Sequence, residues 1–294
     1  MNDAPPVHRP AGPTFAVAFG GGGARGLAHI HVIEALDELG IRPVSIAGSS
    51  IGAMMGAGMA AGMSGSDIHD YARSILGRRT EVAGRIWSAR PGTLAEMMER
   101  GLRVTQFDAE RIVKAFLPPQ IPDTFAELSI PLKVTATDYF GHHLTVFSDG
   151  DLHKALAASA AIPAVFRPVQ HGDRTLIDGG IYNPVPFDLI ENDADIVIAI
   201  DVVGAPEEGG RKRPTSIDLM FGASQLMMQS IIASKLKQSQ PDILLRPAVS
   251  GYRVLDFLKI DAVMGDTAAI KDELKRAVDE AVRKLSARTP VPST

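Results

Sequence analysis

The sequence predicts an α/β fold with a central, mostly parallel sheet flanked by helices. Phe15 to Phe19 is a short apolar run of β-formers, followed by four glycines and a helical pattern from Leu27 to Leu39. Val44 to Ala47 is a second such run, followed by the Gly48–Gly52 turn and a small-residue helix to about Met63. Two successive strand-turn-helix units imply parallel strands joined by helical crossovers. Asp178 follows the short strand Thr175 to Ile177, and Asp201 follows the wholly apolar Ile196 to Ile200. Polar groups thus sit just past strand ends, where open α/β sheets place their ligands.

The intervening elements follow from the same periodicities. From Asp67 to about Leu117 the pattern is mainly helical, with Tyr71, Ile75 and Leu76 on one face and Phe107-Asp108 opening a second amphipathic segment. This stretch, 67–117, could form a helical cap over a site. Leu132 to Thr137 and His143 to Ser148 read as strands joined by Asp138–Gly141, and Leu152 to Ala158 as a short helix. A long helix from Ser216 to about Ser239, a strand at Ile243–Leu245 and an amphipathic helix from about Ala268 to Leu285 complete the chain. The long helix carries Leu219, Met220, Phe221, Met227, Met228, Ile231 and Ile232, which assigns it to core packing or a subunit contact, with an acyl-chain or membrane face as the alternative. A single domain is expected over 14–287, between a flexible Pro-rich tail at 1–13 and a flexible tail at 288–294.

Composition bounds the chemistry. In 294 residues, 45% hydrophobic and 22% charged, the balance is that of a soluble globular protein. Thirty basic against 34 acidic side chains leave a net charge of −4, with no basic excess for a nucleic-acid partner. The chain has no cysteine, which removes disulfides, thiolate metal sites and a cysteine nucleophile. Pro5, Pro6, Pro10 and Pro13 interrupt the region where a secretory signal needs a continuous apolar stretch, so a cytoplasmic location is expected. Pro43 to Ser66 carries no charge and contains Gly52-Gly56 and Gly58-Gly62 at G-x-x-x-G spacing, but Gly48, Ser49 and Ser50 break it. A buried helix is the simpler reading.

Gly21, Gly23 and Gly26 fit G-x-G-x-x-G after a strand and before a helix, the context of a dinucleotide-binding turn. The second strand, however, ends in Gly48-Ser49-Ser50, not in the acidic residue that would hold a ribose, and no G-K-[ST] follows for a P-loop. What survives is the physics of the loop. Its amides are unshielded and a helix stands behind them, so it suits any anion, a transient oxyanion included, unless it merely lets strand and helix pack closely.

Gly48-Ser49-Ser50-Ile51-Gly52 is G-x-S-x-G between a strand and a helix, the setting of a nucleophile elbow with Ser50 at its apex. The competing reading is an ordinary N-cap serine. Of the histidines after it, His142, His143, His153 and His171, none sits in a convincing turn, and His142-His143 falls at a hairpin tip. His29 and His31, at i and i+2, lie on different helix faces and make a poor metal pair, so no metal is expected. Asp178 is the better partner for Ser50, since Gly179-Gly180 after it allow close backbone approach. Arg25 either steadies the glycine loop or meets a lipid phosphate, with the first favoured, and Arg211-Lys212-Arg213 reads as a solvated charge run.

Gly21-Gly22-Gly23-Ala24-Arg25-Gly26, Gly48-Ser49-Ser50-Ile51-Gly52, Ala158-Ser159-Ala160-Ala161-Ile162-Pro163 and Asp178-Gly179-Gly180, in that order, resemble the motifs of the patatin-like phospholipases. The resemblance runs from Phe15 to about Val202 and is nearest the compact bacterial members. It implies a three-layer α/β/α domain with a Ser-Asp dyad, Ser50 as nucleophile and Asp178 as base. It further implies an oxyanion hole from the backbone of Gly21, Gly22, Gly23 and Arg25, and acyl-ester hydrolysis on phospholipids or lysophospholipids through an acyl-enzyme, without calcium or other cofactor. Gly48 and Gly52 support the elbow, and Gly26, Gly179 and Gly180 belong to the motifs. The implied partner is a lipid, met by transient contact at the inner membrane face. Acyl transfer to another acceptor, and a non-enzymatic nucleotide- or anion-binding module, are the alternatives.

Overall fold

The computed structural model describes residues 12–89, 106–207 and 214–288. The expected tails at 1–11 and 289–294, residues 90–105 of the expected cap, and Arg211-Lys212-Arg213 lie outside the described residues. The strands are β1 (Phe15–Phe19), β2 (Ser45–Ser49), β3 (Leu132–Asp138), β4 (His143–Phe147), β5 (Val169–His171), β6 (Arg174–Asp178), β7 (Ile196–Ile200) and β8 (Ile243–Leu245). The helices are α1 (His29–Glu38), α2 (Ile51–Ala60), α3 (Gly65–Leu76), α4 (Arg79–Ser88), α5 (Ala109–Phe116), α6 (Leu152–Ser159), α7 (Ser216–Leu236), α8 (Ile260–Thr267) and α9 (Ile270–Arg288).

Five strands run parallel in the order β8–β7–β1–β2–β3, and β4 closes that side antiparallel to β3. The mostly parallel sheet is the one expected. Its central strands are continuous apolar runs because both faces are covered. Val17, Phe19, Ile46, Ile198 and Ile200 join the larger core beneath α1, α2, α6 and α9. Ala16, Ala18, Ala47, Val197 and Ala199 point the other way, onto Phe187 and Ile232 of α7. Alternation along β1 therefore splits the interior into two layers of unequal size.

The pairing of β3 brings distant parts of the chain together. β2 pairs with Leu132–Thr135 in parallel and β6 with Ala136–Asp138 antiparallel, while β4 spans Val134–Asp138 and overlaps both. Since β4 occupies one edge of β3, β2 and β6 must share the other, and they meet there end to end. Ser49 pairs with Thr135 and Asp178 with the next residue, Ala136. Residues 50 and 178 are thus delivered to one point by the register of a single strand.

Several boundaries differ from the sequence reading. The helix expected from Leu27 begins as a 3-10 segment, Gly23–Ala28, and turns α-helical only at His29. Gly26 there packs so closely on the next element that a Cβ would fall 2.3 Å from Ile51 Cγ2. The three-residue β5 and the eight-residue α8 were not anticipated, being too short to show a period. The described parts of 67–117 pack on α1, α2, α6 and α8, so they build a flank of the domain. Of the roles expected for α7, core packing is limited to one face: of its 21 residues only Ile232 is buried, with Met228 and Leu236 packed beside it. The uncharged Pro43–Ser66 stretch is a strand, a turn and the ten-residue α2, buried at nearly every position. Among the described residues no helix is long and apolar enough to cross a membrane.

Candidate active site

Ser50 stands between β2 and α2 with φ 53° and ψ −124°, a left-handed backbone that a residue with a side chain adopts only under constraint. The constraint is the packing of the turn against β1. A Cβ on Gly52 would lie 2.2 Å from Phe19 O, and one on Gly48 would lie 2.5 Å from Ala53 Cα. Both flanking glycines are needed for α2 to start this close to the sheet.

The Ser50 hydroxyl donates to Asp178 Oδ2 at 2.6 Å. Asp178 is itself tightly held: its Oδ1 accepts from Gly180 N at 2.7 Å, its N–H donates to Ala161 O at 3.0 Å, and its carbonyl accepts from Thr137 Oγ1 at 2.9 Å. Gly179 is required by proximity to Thr135, whose carbonyl would sit 2.2 Å from an added Cβ. Both side chains are nearly enclosed, Ser50 at 5% exposure and Asp178 at 4%. Burial pushes the Asp178 carboxyl up to about 6, against the opposing pull of its bonds from Ser50 and Gly180.

Gly21 lies alongside the turn, with a hypothetical Cβ 3.4 Å from Ser50 Cβ. Not all amides of the expected cradle are available, however. Gly21 N–H is engaged by Pro184 O at 2.9 Å, and Ala24 N–H by Val254 O at 2.8 Å. The Gly22 and Gly23 amides meet no acceptor among the described residues. Arg25 has its side chain turned inward, 2% exposed, and its Nε donates to Gly22 O at 3.1 Å. In a planar trans peptide this aims Gly23 N–H the opposite way. Burial lowers the Arg25 guanidinium to about 10, with Asp201 partly offsetting it. The loop-steadying role favoured for this arginine therefore agrees with its geometry.

Two further residues act on the site, and the residue pattern alone gave neither a role. Ser159 accepts from Ser50 N–H at 2.8 Å. Its only sequence signal was its place in the Ala158–Pro163 motif. His29, fully buried, bonds Gly20 O through Nε2 at 2.8 Å and stacks edge-on against Phe19. His31 is turned instead to Glu34 and Met264 O, so the two histidines point to different partners. His142 and His143 are exposed, His153 faces Asp123 and Ile121 O, and His171 lies against Phe147. Among the described residues no group of three metal-ligating side chains gathers.

The arrangement can move a proton from hydroxyl to carboxylate and receive negative charge on two amides. Residues 17–190 match the family described as patatin-like phospholipase, a span that holds the whole arrangement up to Pro184. An uncharacterized NTE family protein of Mycobacterium tuberculosis is 35% identical over 201 residues, covering 68% of this chain and 52% of that protein. Mouse patatin-like phospholipase domain-containing protein 6 is 32% identical over 283 residues, 86% of this chain and 20% of that protein. The chain thus spans about half the length, or less, of these curated relatives. Among solved structures, VipD of Legionella pneumophila aligns with a TM-score of 0.43 and 14% identity over 95% of this chain and 75% of that one. With more than half of its length matched, and Ser50 and Asp178 both inside the match, the chain belongs to the patatin-like phospholipase family.

Proposed function

We propose that this protein is a serine lipid acyl hydrolase that cleaves fatty-acyl esters of phospholipids or lysophospholipids through a Ser50–Asp178 dyad and an acyl-enzyme. The 2.6 Å bond between Ser50 Oγ and Asp178 Oδ2, in a strained turn beside unengaged amides, carries the reading. Ser50 Oγ attacks the ester carbonyl as its proton passes to Asp178. The tetrahedral oxyanion is received by Gly22 and Gly23 N–H, with Gly21 and Arg25 supporting the loop. The proton then goes to the departing alcohol. Water, deprotonated by the same carboxylate, releases the fatty acid and restores the hydroxyl.

A carboxylate of ordinary pKa, ~4, is a weak base for this transfer at neutral pH. The upward shift of Asp178 to about 6 narrows that mismatch while leaving the group ionised at pH 7. No metal or cofactor enters these steps. The natural setting is cytoplasmic, with transient contact at a membrane surface. Acyl transfer shares the acyl-enzyme and differs only in the acceptor, so products formed with added alcohols separate the two.

Covalent labelling with a fluorophosphonate tests the reading directly. Label is expected on the wild type and absent from Ser50→Ala. Turnover of nitrophenyl esters should fall at least ~10³-fold in Ser50→Ala and Asp178→Asn, with unchanged circular dichroism. Full activity in either variant, or label retained without Ser50, refutes the assignment and leaves an anion-binding module as the better account.

A further inference from the structure

α7 packs on the core through Ile232, Met228 and Leu236 but also turns polar side chains inward. Its inward face carries Gln225, Gln229 and Lys235: Gln225 Nε2 donates to Val203 O at 3.1 Å, Gln229 Nε2 to Gly204 O at 2.6 Å, and Lys235 reaches Asn183, Val185 O and Asp188. Its outward face carries Ile217, Leu219, Met220, Leu226 and Met227, with Leu219 at 59% exposure and Met227 at 61%. No charged residue occurs from Leu219 to Ser234, and Lys237 stands exposed just past the end. A surface helix normally buries its apolar stripe and hydrates its polar one.

The helix also reaches the end of the sheet that carries Ser50. Met228 on its inner face packs against Gly180, two residues from Asp178, with Met228 Cε 3.0 Å from where a Cβ would project. Gln225 and Gln229 hang it from Val203 and Gly204, just past the C-terminal end of β7. Other exposed apolar side chains mark the same end. Tyr139 and Phe140 stack edge to face at the tip beyond β3, which runs parallel to β2, and Phe140 is 73% exposed. Ile181 and Tyr182 follow directly on Asp178-Gly179-Gly180 and are also exposed.

We infer that this rim, with the outer face of α7 at its centre, seats the protein on the surface of a lipid aggregate. The inference rests on the hydrolase reading. A lipid ester has to reach Ser50 from its aggregate, and the exposed apolar side chains lie at the same end of the sheet as the candidate site. The uncharged stretch between Asp218 and Lys235 matches the same partner, with acyl chains against leucine and methionine and headgroup phosphate within reach of the exposed Lys237. Side chains of this kind each contribute to insertion through the apolar area they remove from water.

Flotation of Ser50→Ala protein with phosphatidylcholine vesicles, with and without phosphatidylglycerol, provides the test, the variant ensuring that the vesicles are not consumed. Binding is expected, and in Leu219→Gln/Met227→Gln it should weaken by at least about tenfold, as should Phe140→Ser to a lesser degree. In an active background the same changes should lower vesicle hydrolysis in parallel while leaving kcat/KM for a soluble nitrophenyl butyrate unchanged. Ser50→Ala protein that does not float, while the wild type turns over the soluble ester, overturns the docking, as do rim variants that float undiminished. A dimer that the variants dissolve without altering flotation assigns the face to a second copy and overturns it too. Failure of fluorophosphonate labelling and of soluble-ester turnover, with flotation intact, sinks the hydrolase reading instead.

Discussion

Two buried titrating groups, Asp178 bonded to Ser50 and His29 bonded to Gly20 O, pull stability in opposite directions as pH changes. The Asp178 carboxyl, raised to about 6, binds a proton in the folded chain at pH values where the unfolded chain has lost it. Its burial costs nothing below the unfolded value and costs most above about 6. His29 is lowered to about 4 by burial, so its contribution is present above the unfolded value of 6.5 and is lost as pH falls through 4. Between 4 and 6 the two slopes oppose each other. His29→Gln keeps a donor for Gly20 O and removes the titration. Chemical denaturation of that variant should show stability rising as pH falls from 7 to 5, a trend masked in the wild type. As the proposed base Asp178 must be ionised, so kcat/KM for a soluble ester should fall about tenfold per unit below pH 6 and level off above 7. A limb centred near the ordinary carboxylate value would separate Asp178 from the base. Ser50, Asp178 and the glycine loop were legible as motifs in the sequence. The engagement of Gly21 N–H by Pro184 was not, because a local pattern does not reveal which amides a distant turn will occupy.

At the scale of elements, the β1–β2–α2 junction is where side-chain volume is most tightly rationed. Gly52→Ala places a methyl group against a backbone carbonyl that no rotamer change can move, 2.2 Å from Phe19 O. The expected cost is about 3 kcal/mol or more, read as a lowered denaturation midpoint together with lost activity. If Gly52→Ala melts like the wild type, the close approach of α2 to β1 is not needed for the fold. The parallel strands were legible as apolar runs punctuated by glycine. The position of α7 was not. Its composition suggested core packing or a subunit contact, yet Gln225, Gln229 and Lys235 share its inward face with Met228, Ile232 and Leu236, while Leu219, Met220, Leu226 and Met227 are exposed. Mean hydropathy does not say which way a helix is turned when polar side chains have carbonyls to satisfy within the fold.

For the whole molecule, the sequence pointed to the kind of sheet and to the two side chains that matter, but not to the reason they meet. That reason is the shared edge of β3, which pairs with two segments distant from it and from each other, β2 and β6, and which no local periodicity encodes. Helices cover both faces of the sheet, and the exposed apolar rim lies at the end where its parallel strands finish. β3 is clasped along both sides, so its amides 134–138 are tied into ladders with β2, β4 and β6. Ser50 cannot leave Asp178 by any large excursion unless β2 or β6 first peels from that strand. Hydrogen exchange at these few amides is therefore a clock for the integrity of the Ser50–Asp178 contact, and a ligand that slows it has tightened the joint on which both side chains hang.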